Sequence, residues 1–407
     1  MRAYLDHAST SPLRPAARAA MVDWLGAADP GRVHTEGRMA RAVLEDARGA
    51  VASLFGTRPR QVIFTSGATE SINSATFGAL RVVAPSSDPG GVVLAGVEHS
   101  AVREASEMWA STLVMAGVDS KGLISVAEVV DILRSRTDVR LVHCQLANHE
   151  VGTLQPVAEM AGICRSAGVL LHVDAAAAAG RVPIEFDRMG ADLLSVSAHK
   201  MGGPAGVGAL LVRRGLRIPP LIVGGSQERA RRGGLENVAA AVAFGAVASM
   251  LNAGTDRPGH AGSGGRAPGG AGPDPAEGPA SMLQMEAARA AAGLDRLRHA
   301  VTSVPGVTVY GPAAPAERLP HILCLGVEGV EAEPVLIGLD RAGVAAHSGS
   351  SCSSESLEPS PVLQAMGVDS ERSLRLSVGW STTDEEIDLA VRAFAPVVEE
   401  LRRLRSG

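Results

Sequence analysis

Between Gln61 and Leu211 the chain alternates short, continuously apolar runs with longer stretches whose apolar residues recur at helical spacing. The runs at Gln61–Thr65, Gly91–Ala95, Val139–His143, Gly168–Asp174, Leu193–Ser197 and Gly208–Val212 predict buried strands, since a strand covered on both faces shows no polar alternation. The intervening stretches, such as Ala158–Ala167, predict helices. Alternation of this kind predicts an α/β protein with a mainly parallel sheet between helical layers. In such sheets ligands bind beyond the carboxyl ends of the strands, so chemistry is expected just after each one.

The pattern breaks at 253–280, where Gly, Pro and Ala dominate. That stretch cannot bury enough apolar surface to offset its ordering entropy and reads as a mobile surface insertion without chemistry. It separates two long helical patterns, Asn237–Leu251 and Met282–Val301. Beyond them a strand near 321–326, a helix near 334–342 and a final amphipathic helix from Asp384 predict a smaller α/β domain. The expected division is a large domain over 13–252, the insertion over 253–280, and a small domain formed by 1–12 with 281–407.

Length and composition narrow the class. At 407 residues the chain exceeds one ordinary core, and 46% hydrophobic with 20% charged residues is globular composition. A net charge of −5 argues against a nucleic-acid or anionic-membrane binder, which needs basic surface. No apolar run is long enough to span a bilayer. The opening residues meet an acid at Asp6, too early for a secretory signal, so a cytoplasmic location is expected. Four dispersed cysteines show no metal-ligand spacing. Cys144, Cys164 and Cys324 lie in apolar runs and read as inert core. Cys352 lies among Ser348–Ser354, where an exposed loop thiol and a reactive one are both open readings. Only two lysines occur, Lys121 and Lys200, so each calls for an explanation.

The strand ends supply candidates. After Gln61–Phe64, the turn Thr65-Ser-Gly-Ala-Thr-Glu70 opens a helix whose free N–H groups and dipole suit an anion such as phosphate. After the strand ending at Val173 stands Asp174, read either as an N-cap for the following alanines or as a carboxylate that keeps a pyridinium nitrogen protonated. After Leu193–Val196 comes Ser197-Ala-His-Lys200 and a glycine-rich loop. Lys200 is either a surface amine or a partly desolvated nucleophile able to form a Schiff base. An anion cup, an Asp and a Lys at neighbouring strand ends make the parts of a pyridoxal 5'-phosphate (PLP) site.

Further motifs carry a resemblance: Tyr4–Pro12, His34–Arg38, Thr65–Ser71, Glu98–Val102, Asn148–Gly152, His172–Asp174, Ser195–Lys200, Gly224–Arg229, Ser348–Cys352, Ser356–Ser360 and Leu374–Gly379. In this order they resemble the class V aminotransferase family, and within it the cysteine desulfurases of the NifS/IscS type. The resemblance spans nearly the whole chain except the insertion. It implies the fold type I of PLP-dependent transferases, with a large domain around a seven-stranded sheet. It also implies that Lys200 carries PLP and moves protons, that Asp174 pairs with the pyridine nitrogen, and that His99 stacks on the ring. Ala68, Thr69, Ser197 and His199 would hold the phosphate, with His149 near the cofactor. Arg375 and Asn148 would bind the substrate, Arg375 as the carboxylate clamp. Cys352 would take sulfur from L-cysteine as a persulfide, leaving alanine, and deliver it to an acceptor protein. A homodimer is likewise implied, with no nucleic acid or membrane partner.

Departures from the family pattern stand at His149, Ala177 and Leu235, where the family has Asn, Gln and Thr. Ala177 has no group to offer the cofactor's phenolic oxygen, and Leu235 none for a phosphate. His347 and Trp380 also depart and are expected to reshape the substrate entrance. These changes keep two alternatives in view: another PLP-dependent C–S or C–Se lyase of a specialised pathway, and a cofactor-weakened sulfur-transfer partner.

Overall fold

A computed structural model describes residues 1–83, 88–254, 280–348 and 360–406. Its main sheet has seven strands: β1 (Val62–Thr65), β2 (Gly91–Ala95), β3 (Thr112–Ala116), β4 (Val139–His143), β5 (Leu170–Asp174), β6 (Leu193–Ser197) and β7 (Gly208–Val212). Their spatial order is β1-β7-β6-β5-β4-β2-β3. All run parallel except β7, which is antiparallel to both neighbours. Residues of β1, β2, β6 and β7 are buried throughout, which is why those runs are apolar without interruption. The strand absent from the sequence expectation is β3. It pairs only with β2 and leaves Met115 exposed, so it lacks the signature of a two-faced strand.

The reversal at β7 has a local cause. Residues 198–207 are too few for a crossover helix, so the chain turns back beside β6, and this turn carries Lys200. Gly208 begins β7 against the turn that follows β1. A Cβ there would lie 2.7 Å from Gly67 Cα, so no other residue fits without displacing backbone. The turn at 66–67 leads into α1 (Ala68–Val83), and β2 is followed by α2 (Ser100–Trp109).

The predicted helices form at Val157–Ala167, Val238–Asn252, α3 (Met282–Thr302), Ala332–Arg341 and α4 (Asp384–Ser406). Asn237 caps the second of these, its side chain accepting from Ala240 N at 3.1 Å. Ser281 and Gln284 form a capping box at the start of α3. The alanines after Asp174 do not make a helix. They form successive turns, with Ala179 N donating to Ala175 O and Arg181 N to Ala178 O, so the helix-cap reading of Asp174 does not hold.

A second apolar cluster lies over an antiparallel sheet of β8 (Val307–Tyr310), β9 (Ile322–Val327), β10 (His347–Ser348) and β11 (Ser373–Ser377), ordered β10-β11-β9-β8. The chain's first residues belong to this cluster: Ala3–Tyr4 pairs in parallel with Val344–Ala345, and Ala3 and Leu5 are fully buried. Of the expected insertion, 255–279 lies outside the described residues, as does Cys352 within 349–359. Among the described residues no helix is long and apolar enough to cross a membrane.

Candidate active site

A cavity of about 550 Å³ opens beyond the carboxyl ends of β1, β5 and β6, where the strand-end rule directs attention. Lys200, Asp174, His99, His149, Ala68, Thr69, Ser197, His199 and Arg375 all line it. The structure therefore brings together nearly every residue singled out from the sequence.

Lys200 stands on a single turn, His199–Met201, directly after β6. Its Nζ donates to Ala8 O. Residues 8–14 run across this turn as a strap: Ser11 N donates to His199 O, Ser11 Oγ to Lys200 O, Arg14 Nε to Met201 O and Arg14 N to Gly202 O. Arg181 reinforces the strap from below, its Nη2 donating to Ser11 Oγ at 2.7 Å and to Lys200 O at 2.9 Å. Burial, followed by the charge of Arg14, pulls the Arg181 guanidinium down to about 10. The lysine's backbone is thus fixed on every carbonyl while its side chain reaches into the cavity.

The anion cup is built as expected. Ala68 and Thr69 start α1, and their position at a helix N-terminus favours negative charge. Ser197 Oγ, on the last residue of β6, is buried with no hydrogen-bond partner among the described residues. A buried hydroxyl without a partner is costly, so one facing a cavity fits a ligand acceptor such as a phosphate oxygen. His199 Nδ1 lies 3.2 Å from Thr10 Oγ1. Burial and the neighbouring Lys200 charge push its imidazole down to about 4, leaving it neutral at pH 7.

Asp174 ends β5, and its Oδ1 accepts from Ala176 N at 2.9 Å, which fixes the carboxylate at the cavity wall. His99 caps α2 by accepting from Ala101 N at 3.1 Å, and its ring meets that of His149 edge to face at 5.1 Å. Behind them sits Glu98, a residue to which the sequence reading gave no role. Its Oε1 accepts from Gln145 N at 2.7 Å, while Oε2 is buried without a partner among the described residues. Burial, with the nearby Asp174 charge adding to it, pushes this carboxyl up to about 8 against the pull of the Gln145 amide. Glu98 is therefore mostly protonated at pH 7.

Arg375, on β11, is buried. Its Nη1 donates to His149 O at 3.0 Å and its Nη2 to Asp6 Oδ1 at 3.1 Å, while Nε has no partner among the described residues. Asn148 is a correction. It does not line the cavity, because its amide is spent inside a turn: Oδ1 accepts from Glu150 N and Val151 N, and Nδ2 donates to Val97 O. It is also fully buried, so it does not face a substrate. The next residue, His149, faces the cavity instead.

The departures from the family pattern separate. Ala177 lines the cavity with an apolar surface, whereas Leu235 is 62% exposed and borders a smaller cavity that shares Ser66 and Gly206 with the first. Trp380 and His347 do not line the main cavity, contrary to expectation. Trp380 Nε1 donates to Pro12 O and its ring lies under Arg14, so it backs the strap. His347 pairs in register with Arg375. Cys144, Cys164 and Cys324 are buried, and burial raises each thiol, Cys164 to about 12. The strap was missed because its contacts span some 190 residues, although the Tyr4–Pro12 motif was its one visible signal.

A strand-end lysine, a strand-end carboxylate and a helix-terminus cup with an unpartnered hydroxyl fit the aldehyde, pyridine nitrogen and phosphate of PLP. Comparison with known proteins agrees. The profile of the family described as Aminotransferase class-V matches residues 3–258 and 280–390. The cysteine desulfurase IscS of Dictyoglomus turgidum is 34% identical over 417 residues, covering 98% of this chain and 95% of the relative. The IscS-like cysteine desulfurase of Mycobacterium tuberculosis is 36% identical over 416 residues, covering 98% and 97%. A solved NifS-like protein with 27% identity superposes at a TM-score of 0.81 over 98% of this chain and all of the other.

Proposed function

The chain belongs to the class-V aminotransferase family, and on that premise we propose that it is a PLP-dependent cysteine desulfurase converting L-cysteine to L-alanine. The observation that carries this reading is the convergence of Lys200, Asp174 and the partnerless Ser197 hydroxyl on one cavity. Bound PLP supplies an electron sink for the charge left when the substrate loses its α-proton.

In this reading each side chain has one task. Lys200 would hold the cofactor's aldehyde carbon, and its amine would carry the substrate's α-proton. Asp174 keeps the pyridine nitrogen protonated, aided by Glu98 remaining neutral beneath it. Ala68, Thr69, Ser197 and His199 hold the phosphate, and His99 covers the ring. His149 takes the place beside the phenolic oxygen that Ala177 cannot serve. Arg375 orients the substrate carboxylate, for which a planar guanidinium is suited. Cys352 supplies the thiolate that receives sulfur as a persulfide and passes it to an acceptor protein. The enzyme acts as a cytoplasmic homodimer.

Incubation with L-cysteine and a reductant tests the reading: alanine and sulfide are expected in equal amounts, and Cys352→Ala should abolish turnover. Pyruvate and ammonia in place of alanine would indicate β-elimination instead. A Cys352→Ala variant with full activity would remove the persulfide route.

A further inference from the structure

Asp6, just ahead of the strap that fixes Lys200, reaches the group proposed to receive the substrate's carboxylate. Arg375 is 1% exposed and cannot leave its place on β11, where its side chain touches His149 O and Asp6 Oδ1. Its Nε remains a buried donor without a partner among the described residues, so this guanidinium has binding capacity that the protein leaves unmet. Asp6 is placed differently. Its backbone is pinned, since Ser9 N donates to Asp6 O and His7 N donates to Ser377 O, yet its carboxylate is 17% exposed. Rotation of the side chain alone carries it toward water. An amino-acid carboxylate arriving at Arg375 would meet Asp6 as a like charge on the same cation, which disfavours both occupying it together. Of the two, only Asp6 has somewhere to go.

We propose that Asp6 is a resident stand-in for the substrate's α-carboxylate: it holds Arg375 between turnovers and swings aside as an amino acid docks. The inference rests on Arg375 being the carboxylate clamp of the function proposed above. It makes Asp6 a positioning residue that sets how tightly any α-amino acid binds, whatever its side chain.

The test uses the cofactor-loaded protein and its visible absorption band, titrated with L-alanine and, separately, with ethylamine, which lacks the carboxylate. In Asp6→Asn the Kd for L-alanine should fall about fivefold, the factor that a partly exposed ion pair of ordinary strength contributes. The Kd for ethylamine should not follow, and Asp6→Glu should behave like the parent. Asp6→Ser provides a second reading of the same direction. An unchanged or higher Kd for L-alanine in folded Asp6→Asn or Asp6→Ser overturns the proposal, because Asp6 would then orient Arg375 for the substrate. Failure of both variants to fold also overturns it. Desulfuration is measured separately on the parent. A parent that binds L-alanine but releases neither alanine nor sulfide from cysteine defeats the functional reading and leaves the Asp6 comparison intact. A parent whose spectrum responds to neither titrant defeats both.

Discussion

One wall of the cavity is made by residues that follow β1, β5 and β6 within a few positions: Ala68 and Thr69, Asp174, Ser197 and Lys200. The facing wall is made by Ala8, Ser9 and Thr10 with Arg375, which arrive from opposite ends of the chain. The first wall carries the groups proposed to bind and activate a cofactor, and each is held by its own strand or helix. The second carries the group suited to an amino-acid carboxylate, and it is held by contacts such as Arg375 to Asp6, made across 369 positions. In the proposed function, covalent chemistry sits on strand ends, while substrate recognition sits on Arg375 of β11, held by the partly exposed carboxylate of Asp6.

The harshest way to break this contrast is Lys200→Ala. Removing the amine on the strand-end wall should abolish the visible absorption band and lower cysteine turnover by about 10³-fold or more, as loss of a nucleophile does elsewhere. Spectra and alanine release check it together. A variant that absorbs and turns over like the parent would mean that the rigid wall does not carry the chemistry.

The two walls also differ in how far they could be read from the chain. Six of the seven main-sheet strands show themselves as buried apolar runs, and the strand-end rule then leads directly to Asp174 and Lys200. The edge strand Thr112–Ala116 escapes because pairing on one side leaves its residues half exposed, without period or continuity. Asn148 took its substrate role from the family resemblance, which says nothing of burial: in the fold it is fully buried and its amide oxygen is taken up within the turn Asn148–Val151. The strap is illegible in principle to local patterns, since nothing in Ala8–Arg14 announces that its donors meet the carbonyls of residues 199–202. Glu98 is hidden too, because sequence gives a glutamate its charge and only burial takes the charge away.

That burial gives a pH-dependent effect beneath the rigid wall. In the fold the Glu98 carboxyl titrates near 8, whereas an unfolded glutamate titrates near its ordinary value of 4.5. The folded state therefore keeps a proton that the unfolded chain releases. The contribution is fully present below about pH 4.5 and is lost as pH rises toward 8, with a slope of about 1.4 kcal/mol per pH unit at most. Glu98→Gln removes that slope. Denaturant unfolding of both proteins should show the variant gaining on the parent steadily from pH 5 to pH 8. A constant difference across that range would mean that Glu98 is ionised in the fold.

The finest comparison sets a hydroxyl of the first wall, Ser197, against one in the strap behind the cavity, Ser11. Ser197 Oγ is buried without a partner among the described residues, so Ser197→Ala removes no hydrogen bond seen among them. Stability of the cofactor-free protein should hold or rise slightly, while PLP retention weakens by about tenfold, the value of a hydrogen bond to a charged oxygen. Ser11 Oγ is committed within the protein, accepting from Arg181 and meeting Lys200 O at 3.1 Å and His7 Nδ1 at 3.0 Å. Ser11→Ala strands part of a buried guanidinium and should cost about 1–2 kcal/mol of folding stability, with the smaller change falling on PLP retention. Equilibrium unfolding and dialysis of bound cofactor measure both quantities for both variants. If the two serines exchange these effects, the hydroxyl facing the ligand is the one on the strap, and the division between a chemical wall and a holding wall is wrong.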